Sequence, residues 1–198
     1  MAAVKFARAE EMPEGFLYRD EFLTNAEEAK LVHIFHGLEF VAYDYHGYIA
    51  RRRIVRYGVN YDINTREPSE TAQPVPEFLV GVRERAAEFA GLPADELVQA
   101  MVSEYSVGTP IGWHRDAPQF GVIVGISLGS ACRMRLKPQT PGKNLPGKVL
   151  SIRLEPRSIY VIRGVARSGW QHSIPAVDEM RYSITFRTLR SKTKRGAA

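Results

Sequence analysis

Hydrophobic residues recur at helical spacing in two segments of the first half of the chain. Thr24 and Glu27 form a capping-box pattern that predicts the start of a helix. A second helix is predicted from about Pro76 to the breakers Gly91 and Pro93. The apolar faces of the two helices are Leu31, Ile34, Phe35 and Leu38 in the first, and Phe78, Leu79, Val82, Ala86 and Phe89 in the second. Between the helices, residues 40–64 are rich in tyrosine and arginine and predict short strands that form a flap.

The second half of the chain changes to short apolar or alternating runs separated by turn residues, a pattern typical of strands. The predicted strands are Leu97–Val107, Gly121–Leu128, Cys132–Lys137, Lys148–Leu154, Ser158–Ile162 and Arg181–Leu189. Strands at this spacing indicate a sandwich or barrel, and a double-stranded β-helix (jelly roll) over residues 97–190 is the favoured arrangement. The sequence therefore predicts one α+β domain over residues 1–198, in which N-terminal helices and a substrate-covering flap precede the jelly-roll core.

Two of the predicted strands carry a polar face that needs an explanation. In Cys132–Lys137, cations alternate with apolar residues, which predicts one buried face and one wet, basic face. In the last strand, Arg181 and Arg187 are six positions apart, so they share a face with Ser183 and Thr185. Arginines that point inward need anions, because a buried unpaired guanidinium is costly. A dicarboxylate ligand and an aspartate side chain would supply those anions.

Composition sets only wide limits on the function. The chain has 198 residues, of which 44% are hydrophobic and 25% charged, as in ordinary globular proteins. No apolar run approaches the roughly 20 residues that cross a bilayer, so we expect a cytoplasmic protein with no membrane partner. The single cysteine, Cys132, excludes an intrachain disulfide and any multi-thiolate zinc site. The net charge of +5 suits a polyanionic partner, although mildly basic enzymes are common.

Three residues form a candidate metal site. His114 and Asp116 are two positions apart, so an extended segment places both side chains on the same face. His172 lies 58 positions downstream, after a predicted strand and the Gly164 turn. Two imidazoles and one carboxylate make a facial triad, which leaves three positions open on an octahedral iron. Neutral imidazole and carboxylate ligands suit Fe(II), whereas the lack of thiolates disfavours structural zinc.

The triad, together with the segment Arg181–Arg187, resembles the AlkB family of 2-oxoglutarate oxygenases over about residues 101–190. The resemblance implies Fe(II) as metal, with 2-oxoglutarate and O2 as cosubstrates. Arg181 would bind the distal carboxylate of 2-oxoglutarate, and Arg187 would lie near its chelating end and steady Asp116. Tyr105 matches a tyrosine that helps to hold the cosubstrate. Ser103 and Ser183 stand where the family often has asparagine.

The flap has a weaker similarity to the lid that covers an extruded base in this family. Tyr57 or Tyr61 could stack on a base, and Arg53 could meet a phosphate. A tyrosine-rich strand that packs on the core explains the same residues equally well. Several family members also have acidic residues after the metal-binding aspartate, whereas here Gln119 occupies that segment and could face the base instead.

The resemblance implies an oxidative demethylase that acts on bases such as 1-methyladenine or 3-methylcytosine in DNA or RNA, single-stranded or with the base flipped. Two alternatives remain open. The same chemistry could serve RNA modification, a protein side chain or a small metabolite, or the chain could be a nucleic-acid-binding module with a vestigial site. We expect a monomer.

Overall fold

The computed structural model describes residues 6–45, 48–61, 68–69, 73–139 and 149–190. Its helices are α1 (Asn25–Phe35), α2 (Glu77–Ala90) and the short α3 (Gly164–Gly169). Its strands are β1 (Phe16–Arg19), β2 (Val41–Tyr45), β3 (Tyr48–Gly58), β4 (Asn60–Tyr61), β5 (Pro68–Ser69), β6 (Gln99–Tyr105), β7 (Ile111–His114), β8 (Phe120–Leu128), β9 (Cys132–Pro138), β10 (Leu150–Leu154), β11 (Ile159–Ile162), β12 (Trp170–Ile174) and β13 (Arg181–Leu189).

Both long helices begin where the sequence predicts and α2 also ends there, whereas α1 ends at Phe35, before the predicted face residue Leu38. Thr24 caps α1: its hydroxyl accepts a hydrogen bond from the Glu27 amide at 3.2 Å, and its own amide donates to the Glu27 carboxylate at 2.7 Å. Gly91 ends α2 in the left-handed conformation, with φ 67°, which glycine adopts without a Cβ clash. Among the described residues, no helix is both long and apolar enough to span a membrane.

The strands form two large antiparallel sheets. The seven-stranded sheet has the order β1-β11-β8-β13-β6-β3-β2, and the four-stranded sheet has the order β10-β9-β12-β7. The short β4 and β5 pair separately. All six strands predicted in the second half are present, with ends that differ by one or two residues. In the second half of the chain β7, α3 and β12 escaped prediction, because each is only four to six residues long, and β1 in the first half escaped it for the same reason.

Two hydrophobic cores lie on opposite sides of the seven-stranded sheet. On one side α1 and α2 pack against the sheet, through Leu31, Phe35 and Leu79 among others. On the other side the four-stranded sheet buries Cys132, Met134 and Leu136. The alternation in β9 therefore has its predicted outcome, with the cations of that strand on the outer face.

Strand β13 joins the two cores. It lies between β6 and β8 in the middle of the seven-stranded sheet, and every residue but the last is buried. Tyr182, Ile184 and Phe186 belong to the core beneath the helices. Arg181 and Arg187 project from the opposite face, into the space between the sheets, as the sequence predicts.

Candidate metal centre and cosubstrate pocket

His114, Asp116 and His172 come together between the two sheets. His114 ends β7 and lies directly opposite His172 of β12, with ring centroids 4.3 Å apart. Asp116 follows two residues later, and its carboxylate is 3.6 Å from Nε2 of His172. One ligand atom of each residue lies within 4.8 Å of the other two. Nδ1 of His114 donates to the Gly112 carbonyl at 2.9 Å, which leaves Nε2 of that ring free to bind a metal.

The surroundings hold these side chains in the protonation states that bind metals. Burial alone would raise the pKa of Asp116, but the Arg187 guanidinium and then the two histidines outweigh it and hold that pKa well below its usual range. Burial, followed by repulsion from His114, lowers the pKa of His172 to about 3. Burial also lowers the pKa of His114. At neutral pH the site therefore offers one carboxylate and two neutral imidazoles.

Arg187 fixes the carboxylate of the triad. Its guanidinium donates from Nη2 and Nε to Oδ1 of Asp116, at 3.2 and 3.4 Å, and from Nη1 to the Gln99 side-chain oxygen at 3.0 Å. Because Arg187 holds Oδ1, the carboxylate has a defined orientation in which Oδ2 points toward Nε2 of His172. This is the contact between Arg187 and Asp116 that the resemblance implies.

Arg167 is a second support of the metal site that sequence reasoning missed. Its Nη2 donates to three backbone carbonyls of the segment that carries the ligand: Asp116 at 3.0 Å, Ala117 at 2.7 Å and Phe120 at 3.1 Å. The side chain is buried, with 6% of the residue exposed. One arginine from α3 thus orders the turn that follows Asp116. No sequence pattern signals such a role, because backbone carbonyls are present at every position.

Arg181 lies in a separate pocket that requires an anion. The residue is 1% exposed; its Nε donates to the Ser127 hydroxyl at 3.2 Å, and its guanidinium lies 4.7 Å from the centre of the Tyr105 ring. Within the described part of the chain, no carboxylate is within ion-pair distance of Arg181, and its Nη1 has no hydrogen-bond partner. A buried, incompletely bonded guanidinium fits the distal carboxylate of 2-oxoglutarate.

The remaining residues predicted for the cosubstrate line the same face. Ser103 and Ser183 are buried opposite each other on β6 and β13, and Tyr105 lies opposite Arg181. The hydroxyl groups of Tyr105 and Ser183 are 3.3 Å apart. The structure thus brings together every residue that the sequence assigned to the metal and the cosubstrate; the contacts of each with 2-oxoglutarate remain predictions.

Tyr160 was not predicted to belong to this pocket. It lies on β11 opposite Gly125 of β8, and its ring stacks on Phe16 with centroids 6.2 Å apart. A Cβ on Gly125 would sit 2.2 Å from the Tyr160 ring, so only glycine leaves room for this tyrosine. Burial raises the pKa of Tyr160, whose hydroxyl therefore stays neutral and able to donate a hydrogen bond at physiological pH.

Two residues predicted to meet the substrate lie on the wrong face of β3. Tyr57 is 6% exposed and packs edge-on against Phe78, with centroids 6.3 Å apart, in the core beneath the helices. The prediction that Tyr57 stacks on a base is wrong, and the alternative of core packing is confirmed. Arg53 points to the same side, where it forms an ion pair with Glu104 at 2.6 Å.

Arg52 and Arg56 occupy the face of β3 that looks toward the metal centre. Arg56 pairs with Met101 of β6, whose sulfur is 4.0 Å from Nη1 of Arg187. The positive charge of Arg52 helps to lower the pKa of both His114 and His172. On β3, therefore, the arginines on the side of the metal centre are Arg52 and Arg56, and not the predicted Arg53.

The other substrate predictions stay open. Gln119 is half-buried in the turn between Ala117 and Phe120, and its backbone carbonyl accepts a hydrogen bond from the Arg190 amide at 2.8 Å. Tyr61 ends β4, and its side chain lies outside the described residues. Part of the predicted flap, residues 46–47 and 62–64, lies outside them as well.

Comparison with known proteins agrees with this site. Residues 42–187 match the 2OG-Fe(II) oxygenase superfamily. Uncharacterized protein L905 of Acanthamoeba polyphaga mimivirus is 31% identical over 203 positions, which cover 93% of this chain and 89% of that protein. The Alkylated DNA repair protein ALKBH8 homolog of Arabidopsis thaliana is 26% identical over 198 positions; the alignment covers 89% of this chain but only 56% of that protein. The structure of OsALKBH1 superposes with a TM-score of 0.67 at 16% identity, covering 89% of this chain and 98% of that one, which confirms the predicted α+β fold.

Proposed function

We propose that this chain, which belongs to the 2OG-Fe(II) oxygenase superfamily, is of the AlkB type and oxidatively dealkylates N-alkylated nucleobases in DNA or RNA. The enzyme is a 2-oxoglutarate-dependent dioxygenase that uses Fe(II), 2-oxoglutarate and O2. The observation that carries the proposal is the pair of arginines, Arg52 and Arg56, on the strand face that looks toward His114 and His172. Such charges suit a substrate that brings phosphates to the mouth of the site.

The residues around the metal each have a proposed task. His114, Asp116 and His172 hold Fe(II), Arg187 fixes the carboxylate, and Arg181 binds the distal carboxylate of 2-oxoglutarate. When bound, iron with its cosubstrates supplies the oxidant: 2-oxoglutarate takes one oxygen atom and gives succinate and carbon dioxide, and the other atom hydroxylates a substrate C–H bond.

For an N-methyl substrate the product then breaks down without further catalysis. Hydroxylation converts the methyl on the ring nitrogen to a hydroxymethyl group. Cleavage of its C–N bond releases formaldehyde, while the hydroxyl proton is lost and the ring nitrogen keeps the bonding electrons. A base inside a duplex has to flip out to reach the metal, and a methylated base that pairs badly flips at the lowest cost. We therefore expect preference for single strands or for lesions that already disrupt pairing.

The test is a mass measurement on a short oligonucleotide that carries one 3-methylcytosine, incubated with Fe(II), 2-oxoglutarate and ascorbate. We expect the loss of one methylene group with the native protein and no change with His172→Ala. If succinate forms while the oligonucleotide keeps its mass, the oxygenase acts on another class of substrate and the proposal fails.

A matched pair of variants tests whether the face of β3 that carries Arg52 contacts the substrate. Arg52→Gln is expected to raise KM for the oligonucleotide about tenfold, because it removes a cation beside the site. Arg53→Gln removes the same charge one position away, on the face that pairs with Glu104, and is expected to change KM by less than about twofold. Equal effects of the two substitutions would contradict the assignment of the faces.

A different substrate of the same chemistry is the second candidate. It is favoured by the segment after Asp116, where Ala117, Pro118, Gln119 and Phe120 include no acidic residue to face a cationic base. RNA modification, a protein side chain or a small metabolite would then replace the lesion in DNA. Turnover of 2-oxoglutarate with a panel of methylated ribonucleotides separates the RNA case from the other two.

A further inference from the structure

The outer face of the four-stranded sheet carries a row of cations. Arg133, Arg135 and Lys137 alternate along β9 with the buried residues of that strand, so they project together from the opposite side of the sheet from the metal centre. In a strand such residues are about 6.8 Å apart, a spacing similar to that of successive phosphates in an extended nucleic-acid strand. We call Arg133, Arg135 and Lys137, together with Trp113, the basic face.

The excess positive charge of the chain is concentrated in the segment that includes β9. The sequence from Ala117 to Leu154 includes no acidic residue and six cations: Arg133, Arg135, Lys137, Lys143, Lys148 and Arg153. Outside that segment, 21 cations stand against 22 acidic residues, so the net charge of +5 comes from this one segment. Among the described residues, no carboxylate lies within ion-pair distance of the three cations of the basic face.

These like charges are held close together at an energetic cost. Arg133 lies directly opposite Arg153 of β10, and like charges in cross-strand pairs are destabilising. An ion pair between Arg153 and Glu155 at 2.6 Å offsets part of this repulsion. Partial burial, and then repulsion from Arg133, lowers the pKa of Arg135. An anionic ligand bound at this face would relieve the repulsion.

The cations are also ordered by their neighbours. The guanidinium of Arg135 and the ammonium of Lys137 lie 4.9 and 4.6 Å from the centre of the Trp113 ring. Nε of Arg135 donates to the Ser173 hydroxyl at 3.0 Å. Side chains that are already ordered lose less entropy when they bind a phosphate.

The basic face adjoins the metal centre across one strand. Trp113 and His114 are consecutive in β7, so their side chains point to opposite sides of the sheet, and β7 is an edge strand of that sheet. A nucleotide strand that leaves the metal centre over this edge arrives directly at Trp113. Both sides of β7 and β12 would then contact the same substrate molecule.

We propose that the basic face binds the phosphates of the single-stranded nucleic acid next to the base under attack. This inference rests on the proposed function, because the strand on the face is the substrate itself. Nucleic acid fits better than other polyanions because the row of cations has the spacing of phosphates and lies beside the ring of Trp113, the residue that precedes the metal ligand His114.

The test uses the full chain and an unmodified, fluorescently labelled 20-nucleotide strand, with affinity measured by anisotropy over a range of salt concentrations. For Arg133→Gln/Lys137→Gln we expect the affinity to fall on the order of tenfold and the slope of log K against log salt to become shallower by about 1.4, since each contact to a single strand contributes about 0.7. The control Arg8→Gln/Lys30→Gln removes the same charge from exposed positions elsewhere and should move the slope by less than half of that. Equal slopes for the two variants would overturn the proposal.

Two further measurements distinguish a failure of this inference from a failure of the proposed function. If the face serves catalysis, the ratio of kcat/KM on a methylated 20-mer to kcat/KM on a methylated trinucleotide should fall about tenfold in Arg133→Gln/Lys137→Gln. If the native protein dealkylates neither substrate, the proposed function fails, while the salt slope still decides whether the face binds nucleic acid. Binding of vesicles rich in phosphatidylserine that depends on these two cations, with no change in oligonucleotide affinity, would also overturn the proposal.

Discussion

Replacing Arg181 by methionine should separate the effect of this buried cation on stability from its effect on the binding of 2-oxoglutarate. The Arg181 guanidinium is 1% exposed, donates to the Ser127 hydroxyl through Nε, and has no protein partner for Nη1. A buried donor without a partner costs about 1–3 kcal/mol. Methionine fills a similar volume without charge, so the metal-free variant should be as stable as the native protein or more stable by about 1 kcal/mol, which raises Tm by about 2–4 °C.

The same substitution should abolish tight binding of 2-oxoglutarate. Two charge-assisted hydrogen bonds to a carboxylate contribute about 3 kcal/mol or more, and each 1.4 kcal/mol is a factor of ten. We therefore expect KM for 2-oxoglutarate to rise at least about a hundredfold. The KM of Arg181→Lys for 2-oxoglutarate should lie between the values of the native protein and of Arg181→Met, because an ammonium keeps the charge but lacks the planar guanidinium.

The assay combines succinate formation over a range of 2-oxoglutarate concentrations with thermal unfolding in the presence of Mn(II). Native protein should gain stability as 2-oxoglutarate is added, and Arg181→Met should not. The control is Arg163→Met, which removes a half-buried arginine that donates to the Ala90 carbonyl at 2.9 Å, away from the pocket. It should lower Tm and leave KM unchanged. Saturation of Arg181→Met at native 2-oxoglutarate concentrations would refute the reasoning.

Three further predictions concern the triad and the core. Asp116→Ala should abolish turnover and lower the free energy of unfolding of the metal-free protein by about 3 kcal/mol, because Arg187 loses its buried counter-ion; in urea titrations, adding Arg187→Met should recover at least half of that loss without restoring turnover. Arg167→Met should weaken Fe(II) binding about 10- to 100-fold in anaerobic titration calorimetry, since the turn after Asp116 loses three contacts, and unchanged iron affinity would contradict the positioning role. Tyr57→Phe should leave substrate KM unchanged, whereas Tyr57→Ala should cost about 3 kcal/mol of stability through the cavity it creates; a higher KM for Tyr57→Phe would return this tyrosine to the substrate site.

The sequence predicts which polar residues come together between the sheets, because chemistry restricts where such residues occur. Two arginines six positions apart on one face of a buried strand are costly unless they meet an anion, and a histidine and an aspartate two positions apart are a typical metal-ligand pattern. The phase of β13 followed from its alternation, since Tyr182, Ile184 and Phe186 could only face a core. The same alternation predicted the buried and basic sides of β9.

The face of β3 on which each arginine lies was not predictable in the same way. Both faces of this strand are covered: Ile54 is buried toward the metal side, and Tyr57 is buried toward the helices. Hydrophobic residues therefore appear on both faces, and the alternation that sets the phase is lost. A shift of one residue moves every side chain to the other face, which is why Arg53 was selected instead of Arg52. The role of Arg167 could not be predicted from any sequence pattern, because its partners are backbone carbonyls.

The central place of β13 has a consequence for synthesis on the ribosome. Residues 181–189 are the last described strand to emerge, yet they separate β1-β11-β8 from β6-β3-β2. Until they arrive, β8 and β6 each expose an unpaired edge, and such edges invite pairing with other nascent chains. Until then Asp116 also lacks its ion-pair partner Arg187, which lies on β13. Iron loading and completion of the sheet therefore depend on the same late segment, and a chain stalled before residue 181 would present open sheet edges to the cell's chaperones without a finished metal site.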